Sequence, residues 1–486
     1  MTVLNDFNGL DVMMNVFIAL ALIIAPVAMW HAMLYKRDPR AAMGWISVCL
    51  LFPIVGPALY FFFGINRVHH RAQSWRDGTY QRRFVDFERG EEPLADIPCN
   101  QKSSADFSCL VRATYALTGL PLLGGNRVSV LRNGEEAFPA MLDAINQATK
   151  RVDLSTYIFE SNRTGQDFTQ ALCAAVSRGV KVRVIVDAVG ELYSWPKVSR
   201  RLRRGGVRVE RFSPPRLISR LPGLNLRNHR KLLVVDERLA FAGGMNIGDR
   251  HLVALASNKH PAADIHFQFA GPVVAQLAMG FAQTWQLATG ENLAQSGGGQ
   301  VECGASLCRV IVDGPDYNLD KLSNVLLAAI AQAEVSIRIM TPYFLPSREM
   351  LAALQTAALR GVSVTLMLPE KNNLRYVHWA MRNMLWELLY YNIKVVYQPP
   401  PFNHSKLFLV DGEYLLIGSA NLDPRSLRLN YEVSVEIYDQ AMARELEDEF
   451  NDRLSSSAAV TLSELDRRSL LVRSRDAFCW LFSPYL

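Results

Sequence analysis

Asn228-His229-Arg230-Lys231-Leu232-Leu233-Val234-Val235-Asp236, followed after six residues by Gly243-Gly244-Met245-Asn246, decides the fold. The pattern returns 175 residues on as Asn403-His404-Ser405-Lys406-Leu407-Phe408-Leu409-Val410-Asp411, followed after six residues by Gly418-Ser419-Ala420-Asn421. Both copies read His-x-Lys, four apolar residues, Asp, six residues, Gly, two residues, Asn. Five fixed positions repeated at the same offsets make the pattern specific. On a strand, residues i and i+2 share a face, so each His projects beside its Lys. The runs Leu-Leu-Val-Val and Leu-Phe-Leu-Val are apolar on both faces, which predicts central strands covered on both sides. Asp236-Glu237 and Asp411-Gly412 then turn the chain into second apolar strands over 239–242 and 414–417. The glycines beyond allow backbone to approach a ligand closely. Each copy thus offers an imidazole, an ammonium and an amide at the tip of a rigid hairpin.

Outward from these hairpins the chain alternates strand and helix patterns. The first half predicts strands over 128–131, 152–158 and 180–186, with helices over 135–148 and 167–178. The second predicts helices over 322–332 and 349–360, and strands over 335–340 and 362–368. Ser177-Arg178-Gly179-Val180 has its echo in Leu359-Arg360-Gly361-Val362, and Ser296-Gly297-Gly298-Gly299 reads as a flexible joint. The expected fold class is α/β: two similar units at about 126–295 and 300–486. Residues 67–125 read as a connecting region of no evident class.

The N-terminal end has a different composition. Residues 12–35 and 41–66 are runs of 24 and 26 residues without a formal charge. Each exceeds the roughly 20 residues that cross about 30 Å of hydrocarbon, and the short link Lys36-Arg37-Asp38-Pro39-Arg40 makes the pair a two-helix transmembrane hairpin. No basic segment precedes the first run, which argues against a secretory signal. Pro53, Gly56 and Pro57 predict a kinked or shallow second helix. Arg67, Arg71, Arg76, Arg82 and Arg83 favour a cytoplasmic C-terminal bulk, while the basic link argues the other way. The stretch 200–220 holds eight arginines against Glu210, and Leu217, Ile218, Leu221 and Leu224 in and just beyond it suit an interfacial loop. The tail carries Arg473 and Arg475 before Phe478, Trp480, Leu481 and Phe482, a pattern open to membrane contact or core packing.

In all, 486 residues with half hydrophobic and a fifth charged exclude a mainly disordered chain. A mean hydropathy of +0.06 suits a membrane part attached to a globular part. The net charge of +6 favours an anionic partner. Seven cysteines (49, 99, 109, 173, 303, 308 and 479) show no paired or zinc spacing and read as reduced packing residues, in keeping with a cytosolic face.

The duplicated motif resembles that of the phospholipase D superfamily, over residues from about 126 to 486. The wider pattern resembles the bacterial cardiolipin synthases. It comprises Arg40, Trp45, Pro53, Gly56, Tyr60 and Gly64 at the N-terminus, then Thr341-Pro342-Tyr343-Phe344 and the tail Phe482-Ser483-Pro484-Tyr485-Leu486. Gly244 departs from the pattern, since Ser is commoner there, as at Ser419; the backbone N–H then serves in place of a hydroxyl. The resemblance implies two phospholipase D-like units packed as a pseudo-two-fold pair. It also implies transfer of a phosphatidyl group from one phosphatidylglycerol to another, with glycerol released. Phosphatidyl hydrolysis, a membrane-tethered nuclease and a catalytically silent scaffold are the alternatives. The expected partners are anionic phospholipid and the bacterial inner membrane, with the catalytic part cytoplasmic; no nucleic acid, cofactor or metal is expected.

A phosphodiester needs an in-line nucleophile, an acid for the leaving oxygen and positive charge around the equatorial oxygens. The catalytic candidates are His229, Lys231, Asp236, His404, Lys406 and Asp411; Asn246, Asn421 and Ser419 are the phosphate-binding ones. One imidazole attacks while neutral and the other donates a proton while cationic. The residues alone do not separate the two; the resemblance makes His229 the nucleophile and His404 the acid. Each ring needs its second nitrogen held, usually by a carboxylate. The resemblance crosses these acids between halves: Glu432 with His229, Asp264 with His404. Asp236 and Asp411 are expected to tie their hairpins rather than move protons.

Overall fold

Runs of β-branched and aliphatic residues alternate with amphipathic segments from residue 123 onward. In the computed structural model these become strands and helices close to the predicted bounds. The structure describes residues 22–36, 39–64, 107–212, 226–294, 301–316 and 318–485. They fall into two units, 22–64 and 107–485. The glycine-rich joint at 296–299 and the apolar residues Leu217, Ile218, Leu221 and Leu224 lie outside the described residues.

In the larger unit the first half contributes β1 (Leu123–Arg132), β2 (Arg151–Thr156), β3 (Lys181–Asp187), β4 (Arg208–Phe212), β5 (Leu232–Val235), β6 (Leu239–Gly243), β7 (Ala262–Ala263) and β8 (Ile265–Ala270). The second contributes β9 (Ser306–Asp313), β10 (Ser336–Met340), β11 (Ser363–Pro369), β12 (Lys394–Gln398), β13 (Phe402–Asn403), β14 (Leu407–Val410), β15 (Tyr414–Gly418), β16 (Glu432–Tyr438) and β17 (Ala458–Ala459). One sheet runs β4-β3-β2-β5-β6-β8-β1 and, across an antiparallel β1–β9 pairing, β9-β16-β15-β14-β10-β11-β12-β17. The two halves are therefore one topology written twice, outward from a common seam. β5 and β14 are buried along their whole length, as their two-faced apolar runs require.

The repeated Arg-Gly-Val phrase has a structural cause. The helices Arg163–Ser177 and Arg348–Leu359 are capped by Asn162 and Ser347 and end before Gly179 and Gly361, whose φ values of +88° and +94° favour glycine. The guanidinium of Arg178 donates to the Ile145 carbonyl (2.9 Å), and that of Arg360 to the Ile330 and Ala333 carbonyls (both 3.0 Å). Each arginine so ties the C-terminus of the preceding helix to its own turn.

Each half has its own core. Part of the unclassified region belongs to the second. The helix Ser108–Thr118 packs Phe107, Leu110 and Val111 there. Buried Arg309 pairs with Glu436 (Nε–Oε1 2.6 Å) and donates to the Val111 carbonyl at 3.0 Å. In the tail, Phe478, Leu481 and Phe482 are exposed, while Trp480 lies against the second core.

The smaller unit carries the break that Pro53, Gly56 and Pro57 predict. Residues 22–35 are helical, and 12–21 lie outside the described residues. The run 41–66 is not a single helix. Pro39–Leu51 is helical, the chain turns at 52–54, and a short helix, Val55–Leu59, leads into a π-turn, Tyr60–Gly64. Thirteen residues make about 20 Å of helix, short of the hydrocarbon thickness. Pro53 supplies no N–H to continue the ladder. The returning chain then comes so near that a Cβ on Gly56 would sit 2.3 Å from the Val48 carbonyl. Among the described residues no helix is long and apolar enough to cross a membrane. Tyr60 is buried inside this unit, its hydroxyl 2.8 Å from His31 Nδ1 and its ring beside Trp45.

Candidate active site

Both motifs lie at the seam of the two halves. Strand β5 begins only at Leu232, and β14 at Leu407, so His229, Lys231, His404 and Lys406 sit on extended lead-ins rather than in the ladder. These lead-ins pair across the seam. Asn228 bridges Tyr431, and β13 runs parallel to β7. The His229 N–H donates to the Tyr431 carbonyl (2.9 Å), and the His404 N–H to the Ala263 carbonyl (2.7 Å). Each histidine is thus pinned to the residue just before the other half's acid. The alternation holds: His229 and Lys231 share one face, while buried Arg230 points away and donates to the Glu432 carbonyl (3.0 Å).

Both crossed pairs form. His229 Nδ1 lies 2.9 Å from Glu432 Oε1, and His404 Nδ1 lies 2.9 Å from Asp264 Oδ2. With Nδ1–H donated to a carboxylate, each ring carries its lone pair on Nε2, which at His404 faces Lys406 Nζ at 3.1 Å. Lys231 Nζ donates to the His229 carbonyl (2.7 Å). Lys406 Nζ donates to the His404 carbonyl (2.5 Å) and lies 3.0 and 3.1 Å from the two ring nitrogens. Both ammoniums stay tethered beside their own rings.

Asn246 Oδ1 accepts the Ile158 N–H (3.1 Å), which leaves its NH₂ for a ligand. Asn421 Oδ1 is buried and meets no donor among the described residues. Ser419 faces Glu432. Its hydroxyl donates to Glu432 Oε2 (2.5 Å) and accepts the Val433 N–H (3.1 Å), so it helps hold the Glu432 carboxylate. In the first half, a Cβ at Gly244 would lie 2.7 and 2.8 Å from the Asp264 oxygens, so a bare glycine gives that carboxylate its place.

Asp236 and Asp411 lie at the far ends of β5 and β14 from the histidines. Asp236 accepts the N–H groups of Thr149, Lys150 and Arg151 (each 2.8 Å); Asp411 accepts those of Glu334, Val335 and Ser336 (2.8, 2.8 and 2.7 Å). They are φ-positive turn residues that bind the hairpin to the start of β2 or β10. Partial burial works to raise the Asp236 pKa, but its N–H donors outweigh that and hold it below the usual carboxylate range.

The electrostatics follow from burial. It drives both histidines well below the ordinary imidazole value, helped at His229 by Lys231 and Lys406 and at His404 by Lys406 and Lys231. Burial lowers Lys231 strongly and brings Lys406 to about 8, opposed by Asp264 and Glu432. It lifts Glu432 to about 7 against the pull of Lys231, and lifts Asp264 as well. The resting rings are neutral and nucleophilic. A bound phosphodiester sets a negative charge against both and raises their affinity for a proton, which fits one of them for acid work.

Several neighbours carry no motif. His251 donates from Nδ1 to the Ala262 carbonyl (3.1 Å) and accepts the Asn246 N–H on Nε2 (3.3 Å), so it sets the backbone of a candidate phosphate ligand. Burial brings it to about 3, which keeps it neutral. The Tyr157 ring meets the His229 ring edge-on at 5.1 Å and lies 5.4 Å from Lys231 Nζ. Buried Asp423 accepts the Ser426 N–H (2.7 Å), and burial lifts it to about 6.

A family model described as "Cardiolipin synthase, PLD-like domain" matches residues 141–285 and 326–454, and one described as "Phospholipase_D-nuclease N-terminal" matches 18–64. A cardiolipin synthase of Geobacillus kaustophilus is 32% identical over 93% of this chain and 90% of its own. The major cardiolipin synthase ClsA of Bacillus subtilis is 30% identical over 98% and 99%. Among solved structures, a phosphatidylserine synthase from Haemophilus influenzae superposes with a TM-score of 0.59 at 17% identity, over 78% of this chain and 100% of its own; that likeness is one of fold.

Proposed function

The chain belongs to the cardiolipin synthases of the phospholipase D superfamily, and from that membership we propose that it joins two phosphatidylglycerol molecules into cardiolipin and glycerol. The observation that carries this reading is the crossed arrangement, in which each half supplies an imidazole and its ammonium while the other half supplies the carboxylate. One Nε2 attacks the donor phosphorus and a P–N bond forms. The P–O bond to the glycerol headgroup breaks, and the second imidazole protonates the leaving oxygen. Lys231, Lys406, Asn246 and Asn421 stabilise the charge on the equatorial oxygens. The phosphatidyl-histidine keeps the phosphodiester's reactivity, so no nucleotide is consumed. A second phosphatidylglycerol then attacks through its headgroup hydroxyl; its proton returns to the second imidazole and the P–N bond breaks. The resemblance gives the attacking role to His229.

Membrane attachment is part of the proposal. Leu22, Val27, Trp30, Leu50, Leu51 and Phe52 of the smaller unit are exposed, a surface suited to lipid rather than water. Leu192, Tyr193 and Trp195 are exposed on the larger unit, with Tyr193 within electrostatic reach of Tyr157. The reading is tested with purified protein and headgroup-labelled phosphatidylglycerol in mixed micelles. Cardiolipin and free glycerol in equal amounts are expected. Phosphatidic acid as the sole lipid product would establish hydrolysis instead, and turnover of DNA but not lipid would establish a nuclease.

A further inference from the structure

The duplication makes a difference between the halves meaningful. Thr156 and Thr341 occupy equivalent places, each donating its hydroxyl to the carbonyl two residues on (Ile158 and Tyr343, both 3.0 Å). Phe159 bridges Ile247 as Phe344 bridges Leu422. The next residues, Glu160 and Leu345, donate their N–H groups to the Ile247 and Leu422 carbonyls (2.9 and 2.7 Å). Four residues past each motif asparagine stands an arginine, Arg250 and Arg425. In the first half Arg250 is neutralised: its Nε donates to Glu160 Oε1 at 3.0 Å, and its Nη2 pairs with the same oxygen. In the second half Leu345 replaces Glu160. Arg425 has no ion pair among the described residues, and its Nε is buried without an acceptor. The nearest acid in sequence, Asp423, lies within electrostatic reach of Arg425 but forms no ion pair with it, and its Oδ1 accepts the Ser426 N–H. Arg425 lies within electrostatic reach of His229 and Tyr157, and is partly buried rather than out in solvent.

A partly buried guanidinium whose Nε meets no acceptor gains from a ligand that supplies one. The arginine fork suits two phosphate oxygens. The site's own cations, Lys231 and Lys406, are already beside the reacting phosphorus. We propose that Arg425 binds the phosphodiester of the second, accepting phosphatidylglycerol and so selects an anionic lipid over water or a neutral alcohol as acceptor. This rests on the lipid-transferase reading above. The accepting hydroxyl is roughly five bonds from its own phosphorus, so a cation at the edge of the site holds one end of the headgroup while the other reaches the intermediate. Arg425 makes and breaks no bond; it is a binding and positioning residue.

The test compares two reactions of one intermediate in the full chain, in mixed micelles. Cardiolipin formation uses an anionic acceptor. Exchange of labelled glycerol into phosphatidylglycerol uses a neutral one and the same donor. Arg425→Gln is expected to slow cardiolipin formation roughly ten- to a hundredfold, chiefly through the apparent KM for acceptor, and to leave glycerol exchange within about threefold of the wild type. Arg425→Lys should recover part of the loss. A parallel fall in both reactions, or no fall in either, would overturn the proposal. Absence of glycerol exchange in the wild type would instead overturn the transferase reading on which it stands.

Discussion

Glu432 and Lys406 set the pH response of the site in opposite senses. Glu432 orients His229 as a carboxylate, and burial lifts its pKa to about 7, so the working form is lost as pH falls through that value. Lys406 acts as an ammonium, and burial brings it to about 8, so its charge is lost as pH rises through that value. A narrow bell in kcat between about 7 and 8 is expected from initial rates across pH. Glu432→Gln should lower kcat by about a hundredfold or more and abolish the acidic limb; an acidic limb that survives the change would remove Glu432 from this role. Most of this constellation was legible at the level of single residues. His-x-Lys spacing placed the two rings and ammoniums, and the resemblance paired the acids correctly. The Ser419–Glu432 contact was not legible, because nothing local to Gly-Ser-Ala-Asn reveals that Glu432 comes within 2.5 Å of the hydroxyl. Tyr157 was missed because its contact with His229 joins elements distant in sequence, and His251 because no motif marks its contact with the Asn246 N–H five residues away.

At the scale of elements, each hairpin is held by one turn aspartate that satisfies three backbone N–H groups. Asp411→Ala leaves those donors without their acceptor and should cost about 1–3 kcal/mol, seen as a lower Tm. The kcat–pH profile at permissive temperature should keep its shape, since no proton passes through Asp411; a shifted limb would show that it does take part. Strands and helices were readable to within a few residues because their periodicity and capping residues are local, as with Asn162, Ser347, Gly179 and Gly361. In the apolar run 41–66 the break falls where Pro53, Gly56 and Pro57 predict it, while its cause in space, the close packing of Gly56 on Val48, is not local to the sequence. A Gly56→Val substitution places a side chain against that carbonyl and should reduce the yield of folded, vesicle-bound protein, measured by flotation.

For the whole molecule, the duplication announced two units, and the mirrored strand order bears it out. Their union through β1 and β9 was not readable, since an antiparallel seam leaves no signature in either strand. Nor did the sequence show that the helix Ser108–Thr118 packs into the second half, which depends on the buried Arg309–Glu436 pair reaching the Val111 carbonyl. The exposed apolar side chains of the N-terminal unit predict that Leu50→Lys with Leu51→Lys weakens binding to anionic vesicles while kcat in mixed micelles holds; unchanged sedimentation with vesicles would contradict membrane attachment through that face. The central claim is that both halves serve one phosphorus atom. It is tested most directly by quenching the enzyme in turnover with phosphorus-labelled phosphatidylglycerol and counting label per chain. One labelled histidine per chain at saturation, either His229 or His404, is the expected result. Two labels per chain, or label on neither histidine, would contradict it.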